Sequence, residues 1–392
     1  MAGWYPCPTC CTGGGSATLL VVTYPRTNMS DGLGSNAIAG CDGSGNVLWR
    51  YDLGLDSASV AFLCGQPQID GSGNVYVPYG STGGHGCGLI KLNASGALQW
   101  NYNHAGGINT GGVENHVQSS DFDTSGNIVF RIANANLFAL KVDPTGALIT
   151  SYDWVTSGAS GTGVGAPAAS NWGLAVDGSD NLYINVTGAG PGGFKFNSGG
   201  TFISTFVSGA NFYYACDKTN GKLYLCPWNS SIISTTDIVE RWDLSTTTPT
   251  RDYFKTYDNI FHADTLNYTG CTGQSFGGIG FDVATGTVAL AIGRAQSTSG
   301  GAHEVASVLN INPGGTRNWV AITDTLATGA VPCDFICVDP VNSGVYASSK
   351  NAVVASGATV FGISFGSLTW SSSLIAPGGA TSKGMAAKTY TV

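Results

Sequence analysis

The chain is short of charge. Of its 392 residues only 10% are Asp, Glu, Lys or Arg, and 16 basic against 24 acidic side chains leave a net charge of −8. No basic stretch is available to neutralise phosphates, which argues against nucleic acid as a partner. No apolar run reaches the roughly 20 residues that a helical membrane span requires, so membrane insertion is not expected. Five histidines and three methionines are few for a chain of this length, and no His-x-His or His-Glu-x-x-His spacing occurs. The Gly158–Gly165 stretch lacks the Lys-Ser/Thr ending of a phosphate loop. Ser is too frequent for one nucleophile to stand out, and with only 24 acids, many of them in hairpins, no carboxylate pair for glycoside cleavage can be assigned.

What is abundant is glycine, 58 residues, and part of it recurs in a repeated phrase. The phrase is Asp-x-Ser/Thr-Gly-Asn/Ala followed by an apolar strand. It reads Asp42-Gly-Ser-Gly45-Asn46-Val-Leu-Trp49, then Asp70-Gly-Ser-Gly73-Asn74-Val-Tyr-Val77. It returns at Asn93–Trp100, Asp123–Phe130 and Asp143–Ile149, with weaker copies near Asp177, Asn197, Asp217, Asp282, Asn312 and Asp339. Asp or Asn accepts backbone N–H bonds two or more residues on, and Gly supplies the positive φ of a tight hairpin. An EF-hand would place Glu eleven residues after the first Asp; Leu53, Ser81, Asn134 and Gly188 stand there instead. The phrase is turn chemistry.

Two kinds of copy alternate. One follows small or apolar residues, as in Leu174-Ala-Val-Asp177 and Tyr214-Ala-Cys-Asp217, and suits the crowded inner strands of a blade. The other leads into a strand that often carries Trp: Trp49, Trp100, Trp319 and Trp370. Outer turn glycines near 45, 96, 146, 199, 247, 315 and 366 predict an all-β chain with a single β-propeller of seven four-stranded blades. The unpaired strands Ala17–Thr23 and Gly384–Val392 are expected to close the ring by completing the blade that holds Trp49. The domain reading is a Cys-rich segment over 1–16 and a propeller over 17–392.

The inner phrases resemble NHL-type and SBBP-type propeller repeats, with their Asp-x-x-Gly-Asn-x-Tyr-Val wording. The outer phrases, Asp42 to Trp49 and Asn93 to Trp100, resemble the pyrroloquinoline-quinone-like repeat of quinoproteins, one residue shorter than the form in the dehydrogenases. The resemblance implies the propeller fold; its motifs are structural and imply no activity.

Cysteine is the second peculiarity. Eleven residues is an odd number, so at least one thiol is free or pairs between chains. Cys216 and Cys337 precede the Asp of inner strands and read as small core residues. Cys7-Pro-Thr-Cys10-Cys11 admits three readings: a zinc site with Cys7, Cys10 and Cys11 as ligands, a disulfide staple, or unpaired thiols. The N-terminal sequence has no basic region and no apolar core of a signal peptide. Five Asn-x-Ser/Thr sequons imply nothing without secretion.

In a four-stranded meander the Asp-x-x-Gly turns share one face, which is plain. The longer segments, 78–88, 103–118, 154–172, 207–213, 227–237, 257–277, 293–304 and 323–334, belong to the other, where binding usually resides. All five histidines fall there: His85, His104, His116, His262 and His303. Glu114 and Asp264 lie beside His116 and His262, and the same segments hold Trp154, Trp172, Trp228, Asp121, Asp334 and Arg294. Two readings stand, a metal or acid–base cluster and solvated polar residues. The three Trp residues offer flat faces for a glycan or a protein.

The functional expectation is a non-enzymatic binding or structural propeller that engages a glycan or protein surface through this face. Little charge and a Gly/Ser/Thr/Asn-rich surface suit a virion, such as that of a bacteriophage, or a cell surface, where other assembly subunits would be partners. The alternative is a metal- or quinone-dependent enzyme acting on a carbohydrate or small substrate in the central funnel.

Overall fold

A computed structural model describes residues 16–25, 36–53, 62–81, 87–104, 119–132, 137–153, 156–159, 173–185, 192–206, 212–227, 237–256, 276–296, 304–324, 333–349, 359–364, 367–373 and 384–391. Every regular element among them is a β-strand. No helix among them is long and apolar enough to cross a membrane.

The strands form antiparallel sheets arranged as a propeller. The first sheet joins the ends of the chain: β1 (Ser16–Pro25), β2 (Asn36–Asp42) and β3 (Val47–Asp52) are completed by β29 (Gly384–Thr391), in the order β29-β1-β2-β3. Ser16 pairs with Thr391 and Thr23 with Gly384, so the two termini are zipped along eight residue pairs. The second sheet holds β4 (Phe62–Cys64), β5 (Gln68–Ile69), β6 (Val75–Ser81), β7 (Cys87–Leu92) and β8 (Leu98–His104). Then follow simple meanders: β9 (Ser120–Phe122), β10 (Ile128–Arg131), β11 (Leu137–Val142) and β12 (Leu148–Asp153); β13 (Leu174–Val176), β14 (Leu182–Asn185), β15 (Gly193–Phe196) and β16 (Phe202–Thr205). Next come β17 (Phe212–Asp217), β18 (Lys222–Pro227), β19 (Asp237–Asp243) and β20 (Thr250–Thr256); β21 (Phe276–Phe281), β22 (Val288–Gln296), β23 (Glu304–Ile311) and β24 (Arg317–Asp324); and β25 (Cys333–Val338), β26 (Val345–Ser349), β27 (Thr359–Ser364) and β28 (Ser367–Ser373).

The expectation of seven four-stranded blades is corrected: six are four-stranded, and the sheet spanning Phe62–His104 has five strands. Its innermost strand is broken into β4 and β5, both paired with β6. Three residues, Gly65, Gln66 and Pro67, face only Val77 and Pro78 between the paired segments. Neither proline has an N–H to give to a ladder, and the one extra residue bulges. The Gly65 N–H still reaches the Pro78 carbonyl at 2.8 Å. A broken inner strand leaves no mark on a repeat phrase that records only turns.

The turns explain the repeat. In the second sheet the Asp70 N–H bonds to the Asn74 carbonyl and the Gly73 N–H to the Asp70 carbonyl, with Gly73 at φ 78°. This is a tight turn ending in a left-handed residue, the G1 bulge of three-residue hairpins. The Asp70 carboxylate caps it, accepting from Ser72 N, Asn74 N and Asn74 Nδ2 at 2.8–2.9 Å. At Asp177 the same set is joined by the Tyr183 hydroxyl at 2.9 Å. There Asp180, not Gly, takes the positive φ of 63°. Its carboxylate accepts from Thr124 N and Thr124 Oγ1 of the neighbouring sheet, which holds it in that conformation.

The sheets pack face to face, and each hydrophobic cluster straddles two successive sheets. Tyr76, Cys87 and Leu89 of the second sheet pack with Ile128, Phe130 and Leu140 of the third. Phe138 and Val129 pack with Leu182, Phe194 and Phe196 of the next. Middle strands are therefore buried on both faces, as in Ile128–Arg131 and Leu137–Val142. Trp49 works at the rim: its ring is wedged between Gly40 of its own sheet and Gly96 in the outer turn of the next, and its indole N–H donates to the Ala94 carbonyl at 2.9 Å. Trp100 repeats the contact one sheet on, over Gly146 and onto the Pro144 carbonyl at 3.0 Å. A Cβ on Gly40 or Gly96 would overlap the Trp49 ring, at 2.1 and 2.6 Å, while one on Gly146 would press on Trp100 at 3.1 Å.

Candidate functional site

The inner strands β29, β5, β9, β13, β17, β21 and β25 touch in a closed ring. They enclose a central cavity of about 420 Å³. Small residues line much of it: Ala175, Ala215, Cys216, Gly280, Cys337 and Ala387. Small size is a packing requirement here, because a Cβ on Gly280 would lie 2.8 Å from the Val338 side chain. Burial pushes the Cys216 and Cys337 thiols well above their ordinary range, so neither is a ready nucleophile.

Three charged side chains reach the cavity: Asp121, Lys218 and Lys388. Asp121 acts as a buckle across three sheets. Its carboxylate accepts from the Val176 N–H at 2.8 Å and pairs with the Lys218 ammonium at 3.0 Å. Lys218 also donates to the Phe122 carbonyl. Burial alone would lower the Lys218 pKa, but the Asp121 charge outweighs it and the net direction is up. Lys388 makes no ion pair among the described residues; burial lowers its pKa, opposed by the fields of Asp70 and Asp339.

A second polar group lies beside the cavity at the end opposite the turns. Arg131, the last residue of β10, is 2% exposed, and Asn185, the last residue of β14, is fully buried. Ser119 and Tyr214 are buried with them. The Arg131 N–H bonds to the Ser119 carbonyl at 3.0 Å, and the Arg131 Nη1 donates to the Asn185 carbonyl at 2.7 Å. Burial pulls the guanidinium pKa down to about 9, against an opposing contribution from Tyr214, and burial raises the Tyr214 phenol. Tyr214 also lines the central cavity.

Of the five histidines singled out from the sequence, only His104 is described. It ends β8, the outermost strand of its sheet, away from the cavity, with Nδ1 3.2 Å from the Tyr102 hydroxyl. His85, Glu114, His116, Trp154, Trp172, Trp228, His262, Asp264, His303, Cys7, Cys10 and Cys11 lie outside the described residues. Asp121, Asp334 and Arg294, expected in the long segments, are corrected to strands β9, β25 and β22. Among the described residues no group of three or more His, Cys, Asp or Glu is arranged to hold a metal. The string Gly362-Ile-Ser364-Phe-Gly366 has the spelling of a serine-hydrolase elbow, but its Ser364 ends β27 and the next element is the strand β28, where that elbow needs a strand followed by a helix.

Sequence reasoning missed Arg131, Asn185, Ser119 and Tyr214. Arg131 and Asn185 end strands and Ser119 precedes one, Tyr214 lies within another, and only an Arg closing a buried run, as in Ile128-Val-Phe-Arg131, hinted at anything.

No protein-family model matches the chain, and no curated protein matches it in sequence. Solved structures do. A protein of unknown function from Bacteroides caccae is 14% identical with a TM-score of 0.50, over 79% of this chain and 94% of that one. The periplasmic gluconolactonase of Pseudomonas aeruginosa is 11% identical with a TM-score of 0.55, over 94% and 99%. The dihydro-heme d1 dehydrogenase NirN is 11% identical with a TM-score of 0.46, over 93% and 75%. The shared feature is the fold: this chain is a β-propeller.

Proposed function

We propose that the protein is a non-enzymatic binding propeller that engages a glycan through the face opposite its Asp-x-x-Gly turns. The observation that carries the reading is the asymmetry of the two faces. The described turns, such as 42–46, 70–74, 123–127 and 177–181, are short, capped by their own Asp and closed to a ligand. Every longer connection, among them 104–119, 153–173 and 256–276, departs from the other strand ends. A rigid ring with one plain and one elaborated face presents a single surface for binding. Trp154, Trp172 and Trp228 lie in these connections, and flat rings with a polar edge suit sugar faces. Sparse charge and a Gly-rich sequence support a virion or cell-surface setting.

A glycan array probed with the full chain tests the reading. Saturable binding to a defined glycan, reduced at least tenfold by Trp154→Ala, Trp172→Ala or Trp228→Ala, is expected. Binding to no glycan, with stable capture of a virion or surface protein, would replace the glycan by a protein partner. Binding undisturbed by all three variants would remove the proposed face.

A further inference from the structure

Seven buried side-chain polar atoms among the described residues lack a hydrogen-bond partner, and five of them belong to one group: Ser119 Oγ, Arg131 Nε, Asn185 Nδ2, Asn185 Oδ1 and Tyr214 Oη. Native interiors satisfy nearly all such atoms, so their concentration at one place is informative. Chance would scatter them.

The chemistry of the group is specific. A guanidinium taken out of water is costly unless paired, yet no carboxylate stands beside Arg131 among the described residues. Its one side-chain hydrogen bond runs from Nη1 to a neutral carbonyl. That contact leaves the Nε edge, which presents parallel N–H groups in the geometry that a carboxylate accepts in bidentate fashion. Asn185 Nδ2 and the Ser119 and Tyr214 hydroxyls add neutral donors, and Asn185 Oδ1 adds an acceptor. Their positions share an origin. Arg131 and Asn185 close the second strands of neighbouring sheets, Ser119 precedes an inner strand, and Tyr214 sits in the next inner strand but one. The Tyr214 ring packs against Gly173, where an added Cβ would lie 2.9 Å from it, and the Gly173 carbonyl accepts from the Asn185 N–H at 3.0 Å.

We propose that Arg131, Asn185, Ser119 and Tyr214 form a binding site for a single carboxylate group, carried by a small organic acid or by an acidic residue of a larger ligand. One fixed positive charge with neutral donors around it matches a monoanion better than a phosphate dianion. Tyr214 also lines the central cavity, and the assignment does not rest on a glycan ligand.

The test uses the full chain and sodium acetate, with sodium chloride at equal ionic strength as control and inorganic phosphate as competitor. Titration calorimetry and thermal unfolding are read together. Acetate is expected to bind saturably with one site per chain and to raise Tm where chloride does not. Arg131→Met removes the uncompensated charge, so it should fold with a Tm no lower than the wild type and lose acetate binding at least tenfold. Asn185→Asp places a carboxylate beside the guanidinium, so it should raise Tm and abolish acetate binding. No saturable acetate binding, acetate binding unchanged in Arg131→Met, or phosphate binding tighter than acetate would each overturn the proposal.

Discussion

Replacing Asp177 with Ala should be among the most damaging single changes in the propeller, and its magnitude follows from the turn. Asp177 is 5% exposed, and its carboxylate accepts four hydrogen bonds: Ser179 N at 2.8 Å, and Asn181 N, Asn181 Nδ2 and Tyr183 Oη at 2.9 Å. A net value of about 1 kcal/mol for each gives about 4 kcal/mol. The Tyr183 hydroxyl, fully buried, is then left without its partner, which costs about 1–3 kcal/mol more. These losses share one carboxylate and do not add fully, so about 5 kcal/mol is expected. Asp42 makes the first three bonds but no tyrosine bond, at an exposed outer turn. Water replaces much of what Asp42→Ala removes, and about 1–2 kcal/mol is expected. Urea unfolding followed by circular dichroism and Trp fluorescence compares the two. Equal losses for both variants would refute the argument that burial of the inner cap, and not the turn phrase itself, carries the stability.

Other outcomes follow from the same geometry. Gly96→Ala must hold φ at 81° and would place Cβ 2.6 Å from the Trp49 ring, whereas Gly126→Ala has a similar φ of 79° and open space. Gly126→Ala should cost about 1–2 kcal/mol of backbone strain, and Gly96→Ala clearly more, measured by thermal unfolding. For Asp123, burial raises the carboxyl pKa, but the Lys141 ammonium at 2.7 Å and the Asn127 hydrogen bonds outweigh it and the net direction is down. A depressed carboxyl contributes stability that is complete above its unfolded value, about 3.9, and is lost as pH falls through the folded value. Lys141→Met should therefore move the acid-unfolding midpoint to higher pH; an unchanged midpoint would contradict the pairing. Cys41, Cys64, Cys87, Cys216, Cys226 and Cys337 are free thiols with burial-raised pKa values. They should stay silent to Ellman's reagent until the protein is unfolded, then titrate in full.

What the sequence made legible was whatever repeats. Asp70-Gly-Ser-Gly73-Asn74 announces its hairpin because a capped turn with a left-handed residue admits few spellings, and Trp49 and Trp100 mark the outer strands because the next sheet's turn glycine must lie under the ring. The inner strands were legible through small size, as at Ala175 and Ala215, where the ring is crowded. The break at Gly65–Pro67 was not, since losing a ladder bond inside one strand changes no turn. Arg131 was hidden for a different reason, and so was the role of Asp121, which the sequence placed only among the long segments. Each occurs once, in one sheet, and its meaning depends on partners 54 or more residues away, Asn185 in one case and Val176 and Lys218 in the other. Repetition reveals the scaffold and conceals the exceptions built on it.

The most direct test of a binding role against a catalytic one is elemental and absorbance analysis of the native protein, with the Cys7→Ser/Cys10→Ser/Cys11→Ser variant alongside. A binding propeller predicts no quinone absorbance and no stoichiometric metal beyond zinc that disappears in the triple variant. Stoichiometric metal that survives the variant, or a quinone spectrum, would contradict the account and favour the enzyme reading.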